Sequence, residues 1–147
     1  YPRGTGIGAQ VETGLNRLEI GKAQLKREGS KVAILAFGSM VQVALDAAES
    51  IDATVVNMRF VKPLDQSIIE KIAESHDLII TIEENVIIGG AGSGVAEYLL
   101  SIGDKTPISI MGLPDKFIDH GEHKQQLSDC GLNAAGIIDT VNKHFTA

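Results

Sequence analysis

The chain has 147 residues, enough for one domain that buries roughly two-thirds of its unfolded surface. Hydrophobic residues make up 44% and charged residues 22%, the balance of an ordinary globular protein rather than a disordered one. A net charge of -6, only 4% aromatics and no Trp argue against a nucleic-acid partner, and no segment reaches the roughly 18 apolar residues of a membrane span.

Residues 1–20, beginning Tyr1-Pro2-Arg3-Gly4-Thr5-Gly6-Ile7-Gly8, read as a glycine-punctuated interdomain linker rather than the start of a gene product. Residues 21–147 then read as one domain cut from a longer protein. Lys22 to Lys26 is polar enough for a short edge strand, and Gly29 supplies a tight turn into Lys31–Phe37, an apolar run suited to burial on both faces. The tight turn predicts that the first strand lies antiparallel to its neighbour. Ser39 is placed to cap a helix carrying Val41, Ala44, Leu45 and Ala48 on one side.

The alternation continues with a strand from Ala53 to Asn57 and a helix capped by Asp65, with Ile68, Ile69 and Ile72 on its inner stripe. A third apolar strand spans Leu78 to Ile82. The glycine cluster that follows opens a helix with Val95, Tyr98, Leu99 and Ile102 turned inward, and Ile108 to Met111 forms the next strand. Two helices close the chain: Glu122 to Ser128, stopped at Gly131, and another capped by Asn133 with Ile137, Ile138, Val141 and Phe145 facing the core. Strand and helix alternating at this spacing predict an α/β three-layer sandwich, with four parallel strands and one antiparallel edge strand between helices on both faces.

In such a sheet the loops at the carboxyl ends of the strands carry the chemistry. Four converge there: Gly38-Ser39, Arg59 to Pro63, Glu83-Glu84-Asn85 and Gly112 to Asp115. Adjacent Glu83 and Glu84 point to opposite faces of a strand, so one is expected to pair with Arg59 or Lys62; a catalytic or partner-docking role is the alternative. Gly90-Ala91-Gly92-Ser93-Gly94 lacks dinucleotide spacing and a nucleotide-loop Lys, and so favours close backbone packing over anion contact. Both readings make Glu83, Glu84, Gly90, Gly92 and Ser93 candidates for an interface or anion loop.

Other residues are weaker candidates. His120 and His123 lack a third well-placed zinc ligand and read as solvated loop histidines, as His76 and His144 read as surface residues. Lone Cys130 has no neighbouring cation to activate it, and Ser39 and Ser93 sit where capping explains them. No residue is assigned as catalytic, metal-binding or cofactor-binding. Arg3, between Pro2 and Gly4, is either an exposed linker arginine or a two-pronged phosphate clamp.

Taken together, Tyr1-Pro2-Arg3-Gly4, Met58 to Asp65, Glu83-Glu84-Asn85 with Gly89 to Val95, Gly112-Leu113-Pro114-Asp115 and Gly131-Leu132-Asn133 resemble the third, C-terminal domain of the 1-deoxy-D-xylulose-5-phosphate synthase family, across essentially the whole chain. The resemblance implies a transketolase-type transferase, homodimeric and dependent on thiamine diphosphate and magnesium held by upstream domains. Such an enzyme condenses pyruvate with D-glyceraldehyde 3-phosphate, loses carbon dioxide and feeds isoprenoid and thiamine biosynthesis. It further implies that Arg3 contacts the substrate phosphate, with Tyr1 shaping the approach, and that this fragment alone binds no cofactor and is inactive. A bacterial cytoplasm or a plant plastid stroma is the implied location. The competing expectations are the matching domain of a transketolase or 2-oxo acid dehydrogenase beta subunit, and a free-standing anion- or nucleotide-binding module.

Overall fold

The computed structural model describes residues 13–14 and 17–146. Tyr1 and Arg3, the expected phosphate-binding residues, lie outside the described residues. The elements run β1 (Gln24–Arg27), β2 (Val32–Ala36), α1 (Met40–Ile51), β3 (Thr54–Asn57), α2 (Gln66–Ser75), β4 (Leu78–Val86), α3 (Ala91–Ser101), β5 (Ile108–Leu113), α4 (His123–Asp129) and α5 (Ala134–Phe145). One five-stranded sheet has the order β1-β3-β2-β4-β5, parallel throughout except for β1.

The apolar strand runs are explained by burial on two sides. Ile34, Ala36, Ile80 and Ile82 face α1 and α5, where they meet Met40, Ala44, Ile137 and Val141. Ala33, Leu35 and Ile79 face the opposite way, toward Ile69 and Ile72 of α2 and Val95 and Leu99 of α3. Every residue of β2 is buried, as a central parallel strand requires. None of the helices is long and apolar enough to cross a membrane, among the described residues.

The edge strand departs from expectation. β1 does not pair with β2 across a tight turn but lies antiparallel on β3, with Gln24 opposite Asn57. Both sides of β2 are already occupied by parallel partners, and the chain after β1 is drawn onto the start of β3. Arg27 Nη1 donates to Ala53 O at 2.5 Å and Nη2 to Asp52 Oδ1 at 2.9 Å, while Gly29 N donates to Thr54 Oγ1 at 2.9 Å. Gly29 is present for this close approach: a Cβ there would sit 2.3 Å from the carbonyl of Asp52.

The caps differ in how they act. Asn133 Oδ1 accepts the Gly136 amide at 2.8 Å, as the sequence predicts, and Gly131 at φ 73 ends the turn after α4. Asp65 occupies the cap position of α2, but its carboxylate accepts from Ala23 N at 2.9 Å and Ser67 Oγ at 2.6 Å, with Lys22 Nζ 3.6 Å away. It therefore ties the segment entering β1 to α2. Burial opposes ionisation of Asp65, yet the bonds from Ser67 and the Ala23 amide, with the Lys22 charge, hold its pKa below the usual value. Ile102 and Phe145, expected inside, are about half exposed because each lies at or beyond the last turn of its helix. Replacing Asn133 with Ala is expected to cost about 1 kcal/mol, read as a lower urea midpoint at an unchanged slope.

Candidate functional site at the carboxyl edge of the sheet

β4 is longer than its sequence pattern indicates. The strand continues through Glu83 and Glu84 to Val86, pairing with β5 at Leu113 after a break in register following Ile82. Alternation then sends the two carboxylates to opposite faces, as predicted. Each finds a different set of donors.

Glu83, only 4% exposed, turns toward α3. Its Oε2 accepts the Ala91 amide and its Oε1 the Gly92 amide, both at 2.8 Å. These are unpaired amides of a helix start, where the macrodipole also favours a negative group. The glycines permit the approach. A Cβ on Gly90 would lie 2.3 Å from Val86 O and 2.5 Å from a Glu83 oxygen; one on Gly92 would lie 2.3 Å from Thr81 Oγ1. Ser93 Oγ donates to Gly90 O at 2.7 Å instead of capping an amide. The glycine cluster thus houses an anion that belongs to the protein itself.

Glu84 turns the other way, its side chain 32% exposed. Ser39 Oγ donates to its Oε2 and His123 Nε2 to its Oε1, both at 2.5 Å. Burial raises the pKa of this carboxyl, but the hydrogen bonds from Ser39 and His123, together with the His123 charge, outweigh it and leave the value lowered. Ser39 is therefore a linker between the start of α1 and β4 rather than a side-chain cap. Because the carboxylate stands between hydroxyl and imidazole, His123 does not touch Ser39 Oγ. The three residues are not ordered for nucleophilic catalysis.

The expected pairing of these acids with Arg59 or Lys62 is not observed. Both oxygens of each Glu already have donors, and the ion pairs among the described residues are Lys22–Asp65, Arg27–Asp52 and His123–Glu84. Arg59 instead sits at φ 57, with its amide on Asn57 Oδ1 at 3.1 Å and its guanidinium on Gln24 Oε1 at 2.8 Å. His123 is likewise not a free loop histidine but the first residue of α4. His120 stays exposed on the wall of an open cleft of about 670 Å³ that Phe117, Ile118 and Cys130 also line. His76, expected on the surface, is partly buried at the opposite edge of the sheet, 2.8 Å from Thr54 Oγ1.

Among the described residues, no group of three His, Cys, Asp or Glu is placed to hold a metal ion. The helix start that could take a diphosphate has its amides donated to Glu83. The described residues therefore do not fit a diphosphate-magnesium group.

Residues 21–137 match the family described as transketolase, C-terminal domain. The chain belongs to that family. Among relatives of this transketolase C-terminal domain, the 1-deoxy-D-xylulose-5-phosphate synthase of Methylobacillus flagellatus is 56% identical over 99% of the chain, which covers 24% of that protein. The synthase of Aromatoleum aromaticum is 51% identical over the same share, again covering 24% of it. The chain thus spans about a quarter of the length of these relatives. A solved structure titled "Split gene transketolase, inactive beta4 tetramer" is 35% identical at a TM-score of 0.79, covering 89% of this chain and 44% of that one. A Campylobacter jejuni transketolase, at 16% identity and a TM-score of 0.58, shares the fold.

Two outcomes are expected for this transketolase C-terminal domain. Gly92→Ala forces a methyl group against Thr81 and Ile110 and should cost about 1–3 kcal/mol in chemical denaturation. Glu84 has a lowered folded pKa, so its stabilising contribution is complete above its ordinary value of 4.5 and is lost as pH falls through the folded value. The stability gap between the unaltered chain and Glu84→Gln should therefore shrink on acidification below pH 4.5.

Proposed function

We propose that this domain is the C-terminal part of a 1-deoxy-D-xylulose-5-phosphate synthase. The observation that carries the reading is identity of 49–56% to several such synthases over nearly all of the chain. The full enzyme condenses pyruvate with D-glyceraldehyde 3-phosphate, releasing carbon dioxide, and works as a homodimer in the cytoplasm or plastid stroma. Thiamine diphosphate with Mg2+ supplies the carbanion chemistry from the upstream domains. A free-standing anion or nucleotide module is not favoured, because the helix start suited to an anion is filled by Glu83.

Within that enzyme Arg3 provides a guanidinium for the phosphate of glyceraldehyde 3-phosphate, and Tyr1 lines the approach. The described part of the domain supplies a rigid carboxyl edge, with Glu83 holding α3 and Glu84 holding α1 and α4 to the end of β4. The isolated chain has no catalytic residue of its own in this scheme.

Arg3→Ala in the full-length enzyme should raise KM for glyceraldehyde 3-phosphate by about ten- to a hundredfold, the loss of one or two charge-assisted bonds, and leave KM for pyruvate nearly unchanged. Equal effects on the two substrates would exclude a phosphate clamp. Titration of the isolated chain with thiamine diphosphate in a calorimeter should give no binding heat, and micromolar binding would contradict the division of labour.

A further inference from the structure

We propose that a cleft at the amino edge of the sheet, opposite the edge fixed by Glu83 and Glu84, binds a free amino acid with an apolar side chain. Strands β2, β3 and β4 run parallel, so Lys31, Thr54 and Asp77, each at or just before the first residue of a strand, gather at one edge. There β1, the crossing from Glu28 to Lys31 and the last two turns of α2 enclose an open cavity of about 470 Å³. That is the size of a small-molecule site, roughly 300–1,000 Å³.

The floor is apolar and incompletely covered. Leu25 lies opposite Val56, which faces the layer of α2 and α3, and so shares that face, yet it is 41% exposed. Ile68 and Ile72 of α2 line the same cavity. The register between Leu25 and Arg27 is broken in the manner of a β-bulge, which bends a strand and recurs beside binding sites. The walls are fixed before any ligand arrives. Thr54 Oγ1 accepts the Gly29 amide at 2.9 Å and stands 2.8 Å from His76 Nε2, while His76 Nδ1 donates to Ile72 O at 3.0 Å. Asp77 N donates to Lys31 O at 2.8 Å and Ser30 N to Asp52 O at 2.9 Å. Crossing, strand and helix end are bonded to one another around the cavity, so occupying it forfeits little ordering entropy.

Charge decides the ligand. Lys31, Lys71, Glu28 and Asp77 all line the cavity, and none belongs to an ion pair among the described residues. A simple anion would meet the two lysines but be repelled by the two carboxylates, and a simple cation would meet the reverse. A zwitterion satisfies both signs at once. Its carboxylate takes the lysines, and its ammonium takes the acids, aided by the negative pole of α2, which ends at Ser75. Leu25, Ile68 and Ile72 then cover an apolar side chain, which selects amino acids like leucine and phenylalanine over glycine.

The test is calorimetric titration and thermal melting of the 147-residue chain with L-leucine, L-phenylalanine, glycine and the two halves of leucine, 3-methylbutylamine and 4-methylpentanoate. Leucine or phenylalanine bound with a Kd of about 1 mM, and present at about 10 mM, should raise the melting temperature by about 3–6 °C. Glycine and each half-molecule should bind at least about tenfold more weakly. Lys71→Gln, at an exposed position, should leave the melting temperature of the free chain unchanged and weaken leucine by about tenfold while leaving 3-methylbutylamine unaffected. No shift with any amino acid, a shift that glycine matches, or one that survives both Lys71→Gln and Leu25→Lys would overturn the proposal. Neither Arg3 nor any upstream domain takes part, so the outcome is separable from that of the synthase reading.

Discussion

A buried carboxylate fixes the geometry of the carboxyl edge. Glu83 sits almost without solvent and has two amides as partners at 2.8 Å. Leaving such a charge uncompensated would cost several kcal/mol, so α3 must start where its free N–H groups reach it. That requirement propagates. It demands glycine at 90 and 92, because any side chain would strike Val86 O or Thr81, and it sets α3 tightly against the sheet with Thr81 Oγ1 buried and without a partner.

Glu84 extends the same logic to the other face. With β4 continuing past the body of the sheet, one strand end presents a carboxylate to each helical layer, and each layer is fixed by its own acid. The loops that would otherwise move independently are thereby referenced to a single strand.

The layer architecture was legible in the sequence because continuous apolar runs such as Val32–Ala36 and Leu78–Ile82 can be satisfied only by burial on two faces. The opposite orientation of Glu83 and Glu84 was legible from strand alternation, whereas the spacing of the glycine cluster left close packing and anion contact both open. The partners of the two acids were not legible. His123 lies 39 residues from Glu84, and the Glu83 amides belong to a backbone whose placement depends on the finished sheet. The pairing of β1 was misjudged for a related reason: Gly29 marks a close crossing over β3, which locally looks the same as a hairpin turn. Arg3 owed its assignment to resemblance, since nothing about a lone arginine between Pro2 and Gly4 distinguishes a clamp from a solvated side chain.

The double attachment of Asp65 has a mechanical consequence. Since the same carboxylate grips the amide of Ala23 and the hydroxyl of Ser67, tension arriving along the chain ahead of β1 meets α2 before it can peel the outermost strand. Force is shared with a helix whose Ile69 and Ile72 are sunk in the interior, so the edge strand β1 is shielded from shear.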